Sequence, residues 1–218
     1  VEKDLDALEK TAVTSTNVDA ALKKAETGVN KLQEGPEKTK LKEEVKQAQE
    51  SKDVAHKTQV AEKVPEEIFK AHFISPLIHS AIELRMNDLV KSLDLLKGEK
   101  PGSGDLDLTL EIKTIQNGMI GYPETITGIK DVTTAKKYVS TSKRCLIAMK
   151  NSLTTIENLE RAFKTRIEKV ENNTDDKEQL KELKQGLVTI TAVIKVTRQI
   201  MDSMISLSAT VKNACVLV

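Results

Sequence analysis

Along the C-terminal stretch, apolar and small residues recur at alternating steps of three and four. They are Leu180, Leu183, Leu187, Ile190, Ile194, Thr197, Met201, Met204, Ser208, Val211, Cys215 and Val218. This is the seam of a single helix from about Asp176 to the end, because side chains three and four apart share one face. At 1.5 Å per residue such a helix is roughly 60 Å long. The segment before it keeps the same phase through Val139, Ser142, Leu146, Met149, Leu153, Ile156, Phe163, Ile167 and Val170, with Glu160 a polar miss beside Leu159. Asp131 or Thr133 is placed to cap its start. Between the two lies "ENNTDDKE", Glu171 to Glu178, which carries turn chemistry and acidic residues suited to a helix N-terminus. The pattern predicts a long antiparallel helical hairpin over about 133–171 and 176–218. In that register Val170 lies across from Leu180, Ile156 from Ile194, Leu146 from Met204 and Cys215 from Ala135.

The N-terminal half predicts shorter helices. Val18, Ala21, Leu22, Ala25, Val29 and Leu32 form one face, with Thr16 or Asn17 as its cap. "QEGPE", Gln33 to Glu37, ends that helix, and Pro36 suits the first turn of the next. Leu41, Val45 and Ala48 continue on a helix rich in Lys, Glu and Gln. Residues 1–10 suggest a further short helix around Leu5 and Leu8. A middle segment starts near Pro65 and runs through Ile68, Phe69, Phe73, Leu77, Ile78, Ala81, Leu84, Leu89, Leu93 and Leu96, with a kink or break expected at Pro76. "GEKPGSGD", Gly98 to Asp105, is a loop.

Leu106, Leu108, Leu110 and Ile112 alternate as in a strand, whereas Leu108, Ile112, Ile115 and Met119 share a helix face. A lone strand has nothing to pair with, so helix is expected. Asn117 to Gly128 then reads as a second loop, broken by Gly118, Gly121, Pro123 and Gly128. The fold class expected is all-α: an elongated antiparallel helical bundle, with a helical hairpin region over residues 1–60 and a bundle over 61–218 that can be continuous with it.

Composition sharpens this picture. The 218 residues include no Trp, two Tyr and three Phe, so aliphatic residues must fill the core. Helical seams tolerate this better than sandwiches or enzyme pockets do. The 34 basic and 33 acidic residues nearly cancel. With few aromatics to stack bases, nucleic-acid binding is disfavoured. The most apolar stretch, Leu187 to Val218, carries Lys195, Arg198, Asp202 and Lys212, which argues against a membrane span. Val1 in place of an initiator Met reads as a processed product or a fragment, and no signal peptide is visible.

Candidate chemistry is sparse. His72 and His79 are seven apart and Glu83 follows His79 by four, a His-His-carboxylate set in principle. The default reading of these histidines is rim or core. No nucleophile elbow, Walker loop or dinucleotide fingerprint is present, and "PGSG" lacks the strand-turn-helix setting of a catalytic serine. No catalytic set and no cofactor are therefore expected. The two cysteines, Cys145 and Cys215, fall on the order of 15 Å apart axially in the expected hairpin, too far for a disulfide. The terminal "CVLV" matches a prenylation pattern at Cys215, but Lys212 is the lone nearby base and the usual polybasic helper is missing. The same cysteine falls on the helical seam, which is the reading preferred here. Asn172-Asn173-Thr174 is a glycosylation sequon.

Val29-Asn30-Lys31-Leu32 followed by Gly35-Pro36-Glu37-Lys38-Thr39 gives residues 18–49 a likeness to a known family. The stretch resembles the helical-hairpin spacer modules of secreted and wall-attached proteins of Gram-positive bacteria. Gln33 departs from the pattern, where Pro is common. The resemblance covers less than a fifth of the chain and implies an extracellular setting with a spacer or adhesion role. The expected function is that of a non-enzymatic secreted or cell-surface protein, surface-antigen or adhesin-like, that binds a protein or cell-surface ligand. The alternatives are a helical membrane-active toxin component, or a cytoplasmic scaffold tethered to a membrane through a prenylated Cys215. Membrane contact is expected only through an anchor outside the chain or at its C-terminus, and the oligomeric state stays open.

Overall fold

The computed structural model describes residues 13–73, 75–98, 107–173 and 177–216. Among these residues every regular element is a helix and the fold is all-α. In chain order the helices are α1 (Val18–Asn30), α2 (Pro36–Glu50), α3 (Val54–Phe73), α4 (Pro76–Gly98), α5 (Thr109–Gly118), α6 (Tyr122–Thr127), α7 (Val132–Asn173) and α8 (Lys177–Val216). The expected helix at residues 1–10, the loop residues 99–106 and the hairpin residues 174–176 lie outside the described residues, as does Val218 of the seam.

The chain divides into two compact units. The first comprises residues 1–83, 128–139 and 208–218, the second 84–127 and 140–207. In the first, α1, α2 and α3 pack on one another. α1 contributes Val18, Leu22, Ala25 and Val29 to a shared core, α2 contributes Leu41, Val45 and Ala48, and α3 contributes Val60, Ala61, Val64 and Ile68. Each set follows the three-four spacing that puts its members on one helical face. The expected division after residue 60 falls inside α3, which joins the hairpin as a third helix.

Local signals place the ends of these helices. Pro36 occupies the first turn of α2, where its missing N–H costs nothing. Asn17 stands at the start of α1, but its side chain accepts the Thr14 N–H at 2.6 Å instead of capping the helix. α3 begins at Val54, with the Asp53 carboxylate accepting the Ala55 N–H at 2.9 Å. The middle segment therefore does not start near Pro65, which lies inside α3. A proline there costs on the order of 3 kcal/mol. The buried stripe of Val60, Val64 and Ile68 runs past it on both sides and holds the helix through that position. At Pro76 the expected break occurs: α3 ends at Phe73 and α4 starts at Pro76.

α4 corrects a second expectation. Leu89 and Leu96 of the expected run are buried, but Leu77, Ala81 and Leu84 are exposed, and Ile82 and Ser92, outside that run, are buried. In the second unit, α5 settles the strand-helix ambiguity, with Leu108, Ile112, Ile115 and Met119 buried along one side. Asn117 to Gly128 is not simply a loop. Gly121, at φ 71°, turns the chain into the short helix α6, which buries Tyr122 and Ile126.

α7 opens with a reciprocal cap. The Thr134 N–H donates to Asp131 Oδ1 at 2.7 Å, and the Asp131 N–H donates to Thr134 Oγ1 at 3.1 Å. The Thr134 N–H first, and then the Thr134 hydroxyl, which also donates to Oδ1 at 2.7 Å, hold the Asp131 carboxyl below its ordinary range. α7 and α8 run antiparallel in contact. Lys184 meets Glu171 at 2.7 Å, Thr191 Oγ1 lies 3.4 Å from Glu160, and Arg198 meets Glu157 at 2.7 Å. These pairs lie within about one and a half helical turns of the expected register. Burial on α8 is wider than one seam: Val193, Val196, Ile200 and Leu207 are buried beside Ile190, Ile194, Thr197 and Met204. A helix covered on two adjacent faces has more than one neighbour to pack against.

Candidate binding groove

The turn from α1 into α2 and the end of α3 enclose a groove of about 480 Å³ in the first unit. Leu32, Pro36, Leu41, Ala71 and Pro76 supply its apolar surface, and Glu34, Glu37, Lys38, Lys40 and Lys70 bring charge of both signs. The volume falls within the range of small-molecule and peptide-side-chain sites. Lys38 lies 2.6 Å from Glu34 across one turn, with its side chain only 12% exposed. Its stem thus covers apolar surface while its ammonium reaches the carboxylate. The hydrogen bond from Lys38 holds the Glu34 carboxyl below its ordinary range.

Three further polar side chains line the groove. Glu67 Oε1 pairs with Lys63 at 3.2 Å, but Glu67 Oε2 is buried without a hydrogen-bond partner in the protein. The Ser75 hydroxyl is likewise buried and unpartnered. The His72 imidazole is half-buried, and its burial pushes the pKa below 6.5, so the ring is neutral at pH 7. The lining thus combines a neutral imidazole with two buried oxygens that have no protein partner.

The histidines and Glu83 do not form a metal set. His79 Nε2 lies 3.3 Å from Glu83 Oε1 on the exposed face of α4, while His72 belongs to α3 beyond the break at Pro76. Among the described residues, no group of three His, Cys, Asp or Glu is arranged to hold a metal ion. Cys145 and Cys215 are both free thiols. Cys215 is 1% exposed and its thiol is pushed up to about 11 by burial. Cys145 is half-buried, donates to the Gly118 carbonyl at 3.2 Å and is also shifted up by burial. Asn172 is exposed in the last turn of α7, and Thr174 of its sequon lies outside the described residues. No helix among the described residues is long and apolar enough to cross a membrane.

Glu67, Lys70 and Ser75 do not stand out in the linear pattern. One signal does point to the place: Ser75-Pro76 is a turn-initiating pair in the middle of an apolar run. No protein-family model, no curated protein and no solved structure matches this chain.

Proposed function

We propose that the chain is a non-enzymatic helical protein that binds a partner macromolecule, and that the groove between the α1–α2 turn and the end of α3 receives an extended peptide segment of that partner. The observation that carries this reading is the pair of buried, unpartnered acceptors, Glu67 Oε2 and Ser75 Oγ, beside apolar surface from Leu32, Leu41 and Ala71. An unpaired buried polar atom is costly, and a peptide offers amide N–H groups that satisfy it together with side chains that cover the apolar wall. Charge of both signs at the rim suits selection among partners more than tight binding of one ion. The likeness of residues 18–49 to bacterial spacer modules supports a secreted or cell-surface setting and an adhesin-like or surface-antigen role. The groove lies at the turn that carries this likeness.

The test is a binding screen of the purified chain against peptide arrays and cell-surface proteins, repeated with Ala71→Gln to fill the groove and Glu67→Gln to remove its charge. A partner whose affinity falls about tenfold or more, roughly 1.4 kcal/mol, with an unchanged melting temperature, supports the reading. Binding indifferent to both changes, vesicle leakage without binding, or measurable turnover of a substrate would overturn it.

A further inference from the structure

α4 carries apolar residues on two sides. Leu89 and Leu96 are fully buried and Ser92 nearly so. About a third of a turn around the helix from that stripe, Leu84 is 59% exposed and Leu95 57% exposed. Asp88 and Lys91 lie between them, and the steps of four, three and four put all four residues in one row, as at the a and d positions of a coiled coil. All four belong to the second unit.

The order of this row is self-complementary. Read backward, Leu84-Asp88-Lys91-Leu95 is again leucine, charge, charge, leucine, with the two charges exchanged. Two such helices laid antiparallel about a two-fold axis between Leu89 and Val90 place Leu84 against Leu95 of the partner subunit. The same register sets Asp88 against Lys91 of the partner subunit, twice by symmetry. Parallel in-register pairing would set like charges against each other, which costs stability. The ion pair that Asp88 makes with Arg85 is 3.7 Å long and about half exposed, so little is lost in exchanging it.

We infer that the exposed face of α4 is a self-association surface, on which a second copy of this chain docks its own α4 antiparallel about a two-fold axis. Symmetric closed dimers use one patch twice in this way. With two leucine layers and two ion pairs, the contact is small and the dimer is concentration-dependent. The argument stands apart from the groove of the first unit and does not depend on what that groove binds.

Sedimentation velocity of the full chain over a concentration series tests it. Wild type shifts from monomer to dimer as concentration rises. Asp88→Lys and Lys91→Asp, both at exposed or half-exposed positions, each raise the dimer dissociation constant about tenfold or more. An equimolar mixture of the two variants dimerises again, because one chain then presents two lysines to two aspartates. Three outcomes would each overturn the inference. They are wild type monomeric throughout, single variants that dimerise like wild type, and a mixture that stays monomeric. Helical circular dichroism of each variant verifies that it is folded.

Discussion

Tyr122 Oη and Ser142 Oγ lie 2.7 Å apart, both buried, and join the short helix α6 to α7 within the second unit. A tyrosine ring fills space that the aliphatic residues nearby do not, and its hydroxyl needs a partner once buried. Ser142 supplies one from a seam position that the three-four spacing marks but whose polarity it leaves unexplained. The bond ties to α7 a short helix that stands where glycines and a proline predict a loop. The Tyr122 ring is anchored in the core, and the six residues behind Gly121 coil around that anchor.

Removing one side of this pair should cost more than removing both. Tyr122→Phe takes the partner from a buried serine hydroxyl and should lower stability by about 1–3 kcal/mol. Ser142→Ala removes the same bond from the other side. The double variant Tyr122→Phe/Ser142→Ala should recover part of the loss, since neither hydroxyl then remains. Urea unfolding of all four proteins measures the coupling. Strictly additive losses would show that the two groups do not interact.

Thr197 is a different case. It is fully buried on α8 and its hydroxyl has no hydrogen-bond partner. Thr197→Val keeps the β-branched shape and removes the unsatisfied oxygen. The variant should gain on the order of 1 kcal/mol, seen as a higher urea midpoint at an unchanged slope. A loss of stability would mean that the hydroxyl is bonded in solution.

These positions show where periodicity is informative and where it stops. The hairpin of α7 and α8 is legible because long stretches repeat one buried stripe at three-four spacing, even though burial on α8 extends to an adjacent face. α5 is legible because a strand needs a neighbour and the pattern offers none. α4 misleads because it has apolar residues on two sides. Spacing alone cannot say that Leu89 and Leu96 face the core while Leu84 and Leu95 face out. Pro65 misleads because a local penalty is outweighed by a tertiary core. The groove is nearly invisible for a related reason. Glu67 and Ser75 are only eight residues apart at the end of α3, but the α1–α2 turn that completes the groove with them comes from more than 25 residues earlier, and no spacing in the chain marks that partnership. His72 and His79 show the converse: a suggestive spacing undone by the break at Pro76.

His72 makes stability depend on pH. Burial depresses its folded pKa below the ordinary 6.5, so the unfolded chain binds its proton more readily than the folded one. Stability is therefore full above about pH 6.5, falls as pH drops from there toward the folded pKa, and loses nothing further from this residue below it. Between about pH 7.5 and about pH 5.5, wild type should lose more stability than His72→Gln. Urea midpoints of both proteins at the two pH values give the difference directly. Equal losses would mean that the imidazole is solvated.

Cys215 allows the end of α8 to be tested chemically. Its thiol stands at about 11 against an ordinary 9.0. Two pKa units leave roughly a hundredfold less thiolate at pH 8 than an exposed cysteine has, before any steric protection. A maleimide or disulfide reagent should therefore modify Cys145, half-buried though it is, well before Cys215. Full labelling of Cys215 should need denaturant. The same burial bears on lipidation, since a transferase acting at Cys215 would have to draw the last turns of α8 out of the seam that Val211, Ala214 and Cys215 fill. Peptide mapping of a timed labelling reaction separates the two thiols. Labelling of Cys215 as fast as Cys145 in native buffer would mean that those turns leave the seam readily, and it would restore the membrane anchor as a competing reading of the C-terminus.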